Sequence, residues 1–218
     1  MSSPQNVPGE SSVGRVHRPI YRKWWSWVIA TPLILYIALV IYRIPFVIEK
    51  DKTLEVVAQI HAQKLTINDV NGEHLPPPPD PAQVDATIEG IDANKNGIRD
   101  DVELAIFQKY PNSARIRAAE LQYATALQME LTLVFNSDTF IATAQETGRA
   151  SGCIAELTSR DNLKIYLKTL KSLEKEVEDL QLNTKERMAK ENTNSQFLTS
   201  FGGTEGIRCD VDSASIHN

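Results

Sequence analysis

The chain has 218 residues, of which 42% are hydrophobic and 23% charged, enough for one modest domain with an ordinary core. The formal net charge is −5, and it is unevenly spread. Residues 1–43 hold five Lys/Arg against one Glu, a net of +4, which leaves −9 on residues 44–218. An acidic body of that kind repels phosphate backbones and argues against nucleic acid as a partner.

In chain order, residues 1–23 are rich in Ser, Pro, Gly and Asn without apolar periodicity and read as a disordered tail. Trp24 to Tyr42 contains no charged side chain. At 1.5 Å per residue this stretch reaches about 28 Å, close to the thickness of a bilayer's hydrocarbon core. Trp24, Trp25 and Trp27 crowd one end while Tyr36 and Tyr42 lie toward the other, as interfacial aromatics do. Residues 24–43 are therefore expected to form a transmembrane helix. The apolar run exceeds the core of a cleaved signal peptide, and no small-x-small site follows it, which favours an uncleaved signal anchor. Arg15, Arg18, Arg22 and Lys23 precede the span, whereas only Arg43 follows before Glu49 and Asp51. Positive charge stays inside, so the tail is expected in the cytoplasm and the rest beyond the membrane.

Residues 44–91 read as a stalk. Residues 53–64 suit a short amphipathic helix with Val56, Val57 and Ile60 on one face, and Thr66 to Gly72 suits a strand or turn. Pro76 to Pro79 must be extended and form a proline-rich linker.

Residues 92–103, Asp-Ala-Asn-Lys-Asn-Gly-Ile-Arg-Asp-Asp-Val-Glu, meet every specified position of D-x-[DN]-x-[DN]-G-x5-E. A hard cation such as Ca²⁺ requires six to eight oxygens at short range, which alternate residues of a tightly curled loop can supply. Asp92, Asn94 and Asn96 would give side-chain oxygens, Ile98 its carbonyl, Asp100 a direct or water-mediated contact, and Glu103 both carboxylate oxygens. Gly97 falls where the loop must turn sharply. The alternative is a polar turn that merely caps the next helix.

The dodecapeptide resembles the loops of EF-hands, dockerin modules and thrombospondin type 3 repeats, and is most similar to bacterial D-x-D-x-D-G-I-x-D-x-x-E loops. The likeness implies bound Ca²⁺ and covers about a dozen residues. Arg99 stands where EF-hands carry the aliphatic residue that pairs sister loops, and the chain has no second copy. Pro76 to Pro79, Pro81 and Gly90 weaken any incoming helix. A solitary loop leading into one helix is expected, with no paired lobe and no calmodulin-like groove.

Residues 104–190 read as a small helical bundle. The first helix runs from about Asp100 to Lys109, with acids suited to its N-terminus, and stops at Tyr110-Pro111. Ile116, Ala119, Leu121, Leu127, Leu131, Val134 and Phe135 mark a long apolar helix, and a third spans about Thr139 to Arg149. In the fourth, Leu163, Tyr166, Leu170, Leu173, Val177 and Leu180 lie on one seam. The stripe is too short to require a coiled coil, so it suits packing on the 113–135 helix, with a homo-oligomer as the other option. Past Arg187 the pattern fades, and residues 191–218 read as loop. Cys153 and Cys209 would form one disulfide in an oxidising compartment, worth about 4 kcal/mol in chain entropy.

No nucleophile elbow, Walker loop, dinucleotide fingerprint or zinc-protease motif is present, and the four histidines are scattered. The fold class expected is mainly α: one transmembrane helix, a proline-rich linker, a solitary calcium loop and a helical bundle. The function expected is a membrane-anchored, extracytoplasmic calcium-binding module acting by interaction, with an envelope protein as a possible partner. A bacterial inner-membrane protein with a periplasmic domain fits the loop and the lack of Asn-x-Ser/Thr sites. The alternative is an anchored enzyme whose catalytic groups sit on the bundle, with the loop as scaffold.

Overall fold

The computed structural model describes residues 21–200, together with 202, 206, 208–212, 215 and 216. The basic tail with Arg15, His17 and Arg18, expected in the cytoplasm, lies outside the described residues, as do His217 and the side chains of Arg22 and Lys23. The described residues form eight α-helices and one 3-10 turn, with no strand among them. The chain divides into two compact units, residues 1–49 and 50–218.

Helix α1 (Tyr21–Ala62) is 42 residues long and contributes to both units. In the first unit every large apolar side chain from Trp24 to Ile48 is exposed. This segment is long and apolar enough to cross a membrane. Thr31 donates its hydroxyl hydrogen to the Trp27 carbonyl at 2.7 Å, so the polar group is satisfied within the helix.

The second unit begins with the last turns of α1. Thr53 and Ile60 are buried there, and Ile60 packs with Val56 and Val57 against Met129, Leu133 and Ala142. The amphipathic segment predicted from residue 53 is thus the end of α1 rather than a separate helix. Thr66 to Gly72 is neither strand nor simple turn. Thr66 and Asp69 form a reciprocal capping box that starts α2 (Ile67–Asn71), and Gly72 closes it at φ +75°. Residues 75–80 carry no helix, and Pro76 is buried. Asp80 then caps the single turn α3 (Pro81–Val84).

Helices α4 (Asp100–Lys109), α5 (Ala114–Leu133), α6 (Ser137–Ala155), α7 (Leu163–Gln181) and α8 (Lys185–Asn194) make the bundle. Helix α5 is its axis and packs against α2, α4, α6, α7 and α8. It is buried around much of its circumference, although ten of the fourteen buried residues are polar or alanine. The polar ones are spent on holding loops. Gln122 donates to the Arg208 carbonyl at 2.8 Å and accepts from the Asp210 amide at 2.8 Å. Arg117 donates to the carbonyls of Val70, Tyr110 and Pro111. Gln128 donates to the Glu89 carbonyl.

Helix α6 continues to Ala155, past the expected end at Arg149, because its face against α5 stays buried through Ala150, Cys153 and Ile154. Cys153 and Cys209 form the expected disulfide. The tethered segment adds an ion pair of 2.6 Å between Asp210 and Arg149, and Asp210 accepts from the Leu65 amide. Burial pushes Glu146 up, but hydrogen bonds from His61, Lys64 and Arg149 outweigh it and hold the carboxyl below its usual range. Within α7, Leu173 and Val177 are buried and Leu170 and Leu180 pack on the same core, whereas Leu163 is 64% exposed. The second half of the seam therefore packs within the chain.

Helix α8 runs to Asn194, past Arg187 where the apolar pattern fades and into the stretch expected as loop. Lys185 to Glu191 are good helix formers, Thr184 caps the start, Arg187 is fully buried, and Asn194 donates to the Glu130 carbonyl at 2.6 Å.

Glu120 on α5 is fully buried, and neither carboxylate oxygen has a hydrogen-bond partner among the described residues. Burial, reinforced by the charge of Glu176, pushes its carboxyl up to about 8. Glu130 is pushed up to about 7 by burial and by Glu191. For both, the folded state favours the protonated form. Their contribution to stability is present in full near pH 4.5 and is lost as pH rises toward 8. Thermal unfolding should therefore occur at lower temperature at pH 9 than at pH 6. Glu120→Gln should flatten that dependence and raise the pH 9 midpoint by about 5 °C, as about 2 kcal/mol does in a chain of this size.

Candidate metal centre

The 92–103 loop curls as its sequence demands. Gly97 takes φ +85° and Lys95 φ +60°, both left-handed. A Cβ on Gly97 would stand 2.8 Å from Gln63 Nε2. Asp92 ties the curl together, its two oxygens accepting from the amides of Asn96 (3.2 Å) and Gly97 (3.0 Å). Asn94 Oδ1 accepts from the Asn96 amide, and Asn96 Oδ1 from the Ile98 amide at 2.9 Å. Asp100 accepts from the Ala93 amide at 3.0 Å, while its own amide donates to the Ile91 carbonyl. The Asn94 and Asn96 contacts are successive Asx-type turns, a local reason why Asn recurs at these alternate positions, and Asp92 and Asp100 reach loop amides farther along the chain.

Glu103 is the centre of the site. It sits in the first turn of α4, nearly fully buried, and accepts from Asn94 Nδ2 and Asn96 Nδ2, both at 3.0 Å. The fold thus brings Asn94, Asn96 and Glu103 into direct contact, and links Asp92 and Asp100 to them through loop amides. Ile98 turns its side chain wholly into the core. Among the described residues no three His, Cys, Asp or Glu side chains converge by themselves.

The donor set fits a hard cation. Every side chain facing the loop interior is a carboxylate or an amide, and no cationic side chain pairs with Glu103 among the described residues. Burial therefore pushes the Glu103 carboxyl up to about 7, against the opposing effect of the two amides, and burial raises Asp100 as well. The outer side of the loop borders a cleft of about 240 Å³ whose lining includes Gln59, Gln63, Glu89, Asp92 and Gln128.

Three anchors at this site were not foreseen. Gln63, just past α1, donates to the Asn96 carbonyl at 2.8 Å, and the His74 carbonyl accepts from Asn94. The third is a pair of fully buried arginines. Arg99 grips Asp101 with two hydrogen bonds (2.6 and 2.8 Å) and donates to the Leu180 and Gln181 carbonyls at the end of α7. Arg187 spends its five N–H groups on Asp85, Asn183 and the carbonyls of Val84, Thr87 and Ile88. Its hydrogen bond holds the Asp85 carboxyl below the usual range. The one sequence signal was Arg99 itself, a charged residue where related loops carry an aliphatic one. Its guanidinium is turned toward Asp101 and the end of α7.

Gly90 lies between the two guanidinium stems. A Cβ there would stand 2.4 Å from Arg99 Cδ and 3.2 Å from Arg187 Nη2, at φ +67°. Comparison with family models, curated proteins and solved structures returns no match.

Gly90→Ala should lower stability by about 2 kcal/mol or more, since the left-handed backbone alone costs about 1–2 kcal/mol for a residue with a Cβ. The check is a thermal melt, with Gly202→Ala as a control at a position where a Cβ would meet nothing.

Proposed function

We propose that the protein is a membrane-anchored, extracytoplasmic calcium-binding helical module that acts by interaction rather than catalysis. One observation carries the reading: a D-x-N-x-N-G-I-x-D-x-x-E loop, similar to EF-hand and thrombospondin type 3 loops, wraps a buried Glu103 that has two amide partners and no counter-charge. Asp92, Asn94, Asn96, the Ile98 carbonyl, Asp100 and Glu103 would hold Ca²⁺, which would supply the positive charge that burial denies Glu103. With three carboxylates and two amides the affinity falls at about 10⁻⁵–10⁻³ M, as in extracytoplasmic modules. Ion binding adds to folding stability and stiffens the junction between the proline-rich linker and the bundle.

The apolar part of α1 supports anchoring. The basic residues before it and the acids after it support an inner-membrane topology with the tail cytoplasmic and residues from about 44 onward periplasmic. An acidic surface outside the membrane is compatible with a divalent ion and with an envelope protein as partner.

Full-length protein in nanodiscs should melt at a higher temperature in millimolar Ca²⁺ and revert with chelator. At a Kd of about 0.1 mM and about 1 mM Ca²⁺ the gain is about 1.4 kcal/mol, hence about 4 °C. Glu103→Gln should abolish the shift while preserving helical circular dichroism, and a wild-type midpoint that ignores Ca²⁺ would remove the calcium reading. In oriented membrane vesicles, protease added on the outer face should digest residues 50–218 and spare the tail; the reverse pattern would overturn the topology.

A further inference from the structure

A second cleft, of about 410 Å³, is lined by Arg149, Arg160 and Arg208, and among the described residues no carboxylate lines it. Its floor is the face of α6 that carries Ala144, Gly148 and Gly152, four residues apart, and Tyr166 of α7 forms part of its wall. The three arginines are not equivalent. Arg149 is committed to Glu146 and Asp210. Arg208 lays its stem over Gly152, where an added Cβ would meet Cδ at 2.7 Å. Its guanidinium pairs with Glu156 at 3.8 Å, and the side chain is 47% exposed. Arg160 rests its guanidinium 5.7 Å from the Tyr166 ring and has no ion pair among the described residues. Over Gly148 the space is open, with no atom within 4 Å of an added Cβ.

Two guanidinium groups with unused N–H donors thus border a small-residue floor, on a part of the chain whose net charge is strongly negative. Planar forks of this kind match the paired oxygens of phosphate and carboxylate. The volume lies in the range of small-molecule sites. We propose that this cleft binds a small phosphate- or carboxylate-bearing molecule, its anionic group on Arg160 and Arg208 and its less polar part on the Gly148 floor beside Tyr166. Arg160, which has no ion pair among the described residues, and Arg208, held to Glu156 at 3.8 Å, line the same cleft and carry the inference, which is independent of calcium.

The test is calorimetric titration of the full chain in phosphatidylcholine nanodiscs at low salt, with phenyl phosphate and benzoate as probes. Saturable binding of either is expected, and the stronger probe identifies the anion class. Arg160→Gln and Arg208→Gln should each weaken it by about tenfold, the loss of a charge-assisted hydrogen bond. Gly148→Leu should block binding by filling the floor while leaving the melting temperature unchanged or raised, since glycine is the weaker helix former. Absence of saturable binding by both probes overturns the proposal, as does binding that survives Gly148→Leu or is insensitive to both arginine substitutions. Addition of chelator should leave the affinity unchanged.

Discussion

The buried guanidinium groups of Arg99 and Arg187 join the two halves of the second unit. The segment from Val84 to Asp101 has little helix and little apolar surface, so hydrophobic burial alone cannot place it. Carbonyl oxygens and carboxylates wrapped around two arginines do so instead, and Gly90 gives the space in which the stems can pass. Each cation is met by hydrogen bonds to all sides, the condition under which a buried charge is tolerated. The α7–α8 corner and the 92–103 loop are in consequence parts of one structure: Arg99 sits between loop residues Ile98 and Asp100 and holds the last carbonyls of α7.

The core works on the same principle. Helix α5 is not an apolar rod but a helix whose polar side chains reach outward to backbone groups of neighbouring loops, Gln122 to the disulfide-tethered segment and Arg117 to the turns around Val70 and Tyr110. Loops that would otherwise need water for their carbonyls are satisfied from the centre of the bundle. Glu120 and Glu103 are the exceptions. Both are buried carboxylates without a cation, and both are pushed up by burial. They differ in surroundings: Glu103 accepts hydrogen bonds from the side-chain amides of Asn94 and Asn96 in a curled loop, whereas Glu120 lies near the charge of Glu176 inside the bundle.

Much of this was legible in the chain. A run of uncharged residues from Trp24 to Tyr42 can only be an apolar helix, because 19 residues without charge leave no polar face. Heptad-like spacing in α7, the Pro111 stop and the Asp/Asn alternation at 92–96 each depend on neighbours within one or two turns, and the helices and turns they predict are present. Thr66 to Gly72, expected as a strand or turn, is a short helix started by the local Thr66–Asp69 capping box. Distant groups decided elsewhere: α6 runs on to Ala155 because its face stays buried against α5, and α8 reaches Asn194, whose side chain holds the Glu130 carbonyl.

From the order of its residues alone this protein is determined to be mainly helical, with one apolar segment near its start and an oxygen-rich loop of fixed curvature, since each of these is a short-range consequence of side-chain type. Tertiary structure decided which charges would lose their water. Arg99 and Arg187 became buried staples, Arg160 and Arg208 stayed available at a cleft, and Glu103 was enclosed without a counter-charge. Burial and pairing depend on contacts between residues up to 103 positions apart, and no local pattern encodes those distances.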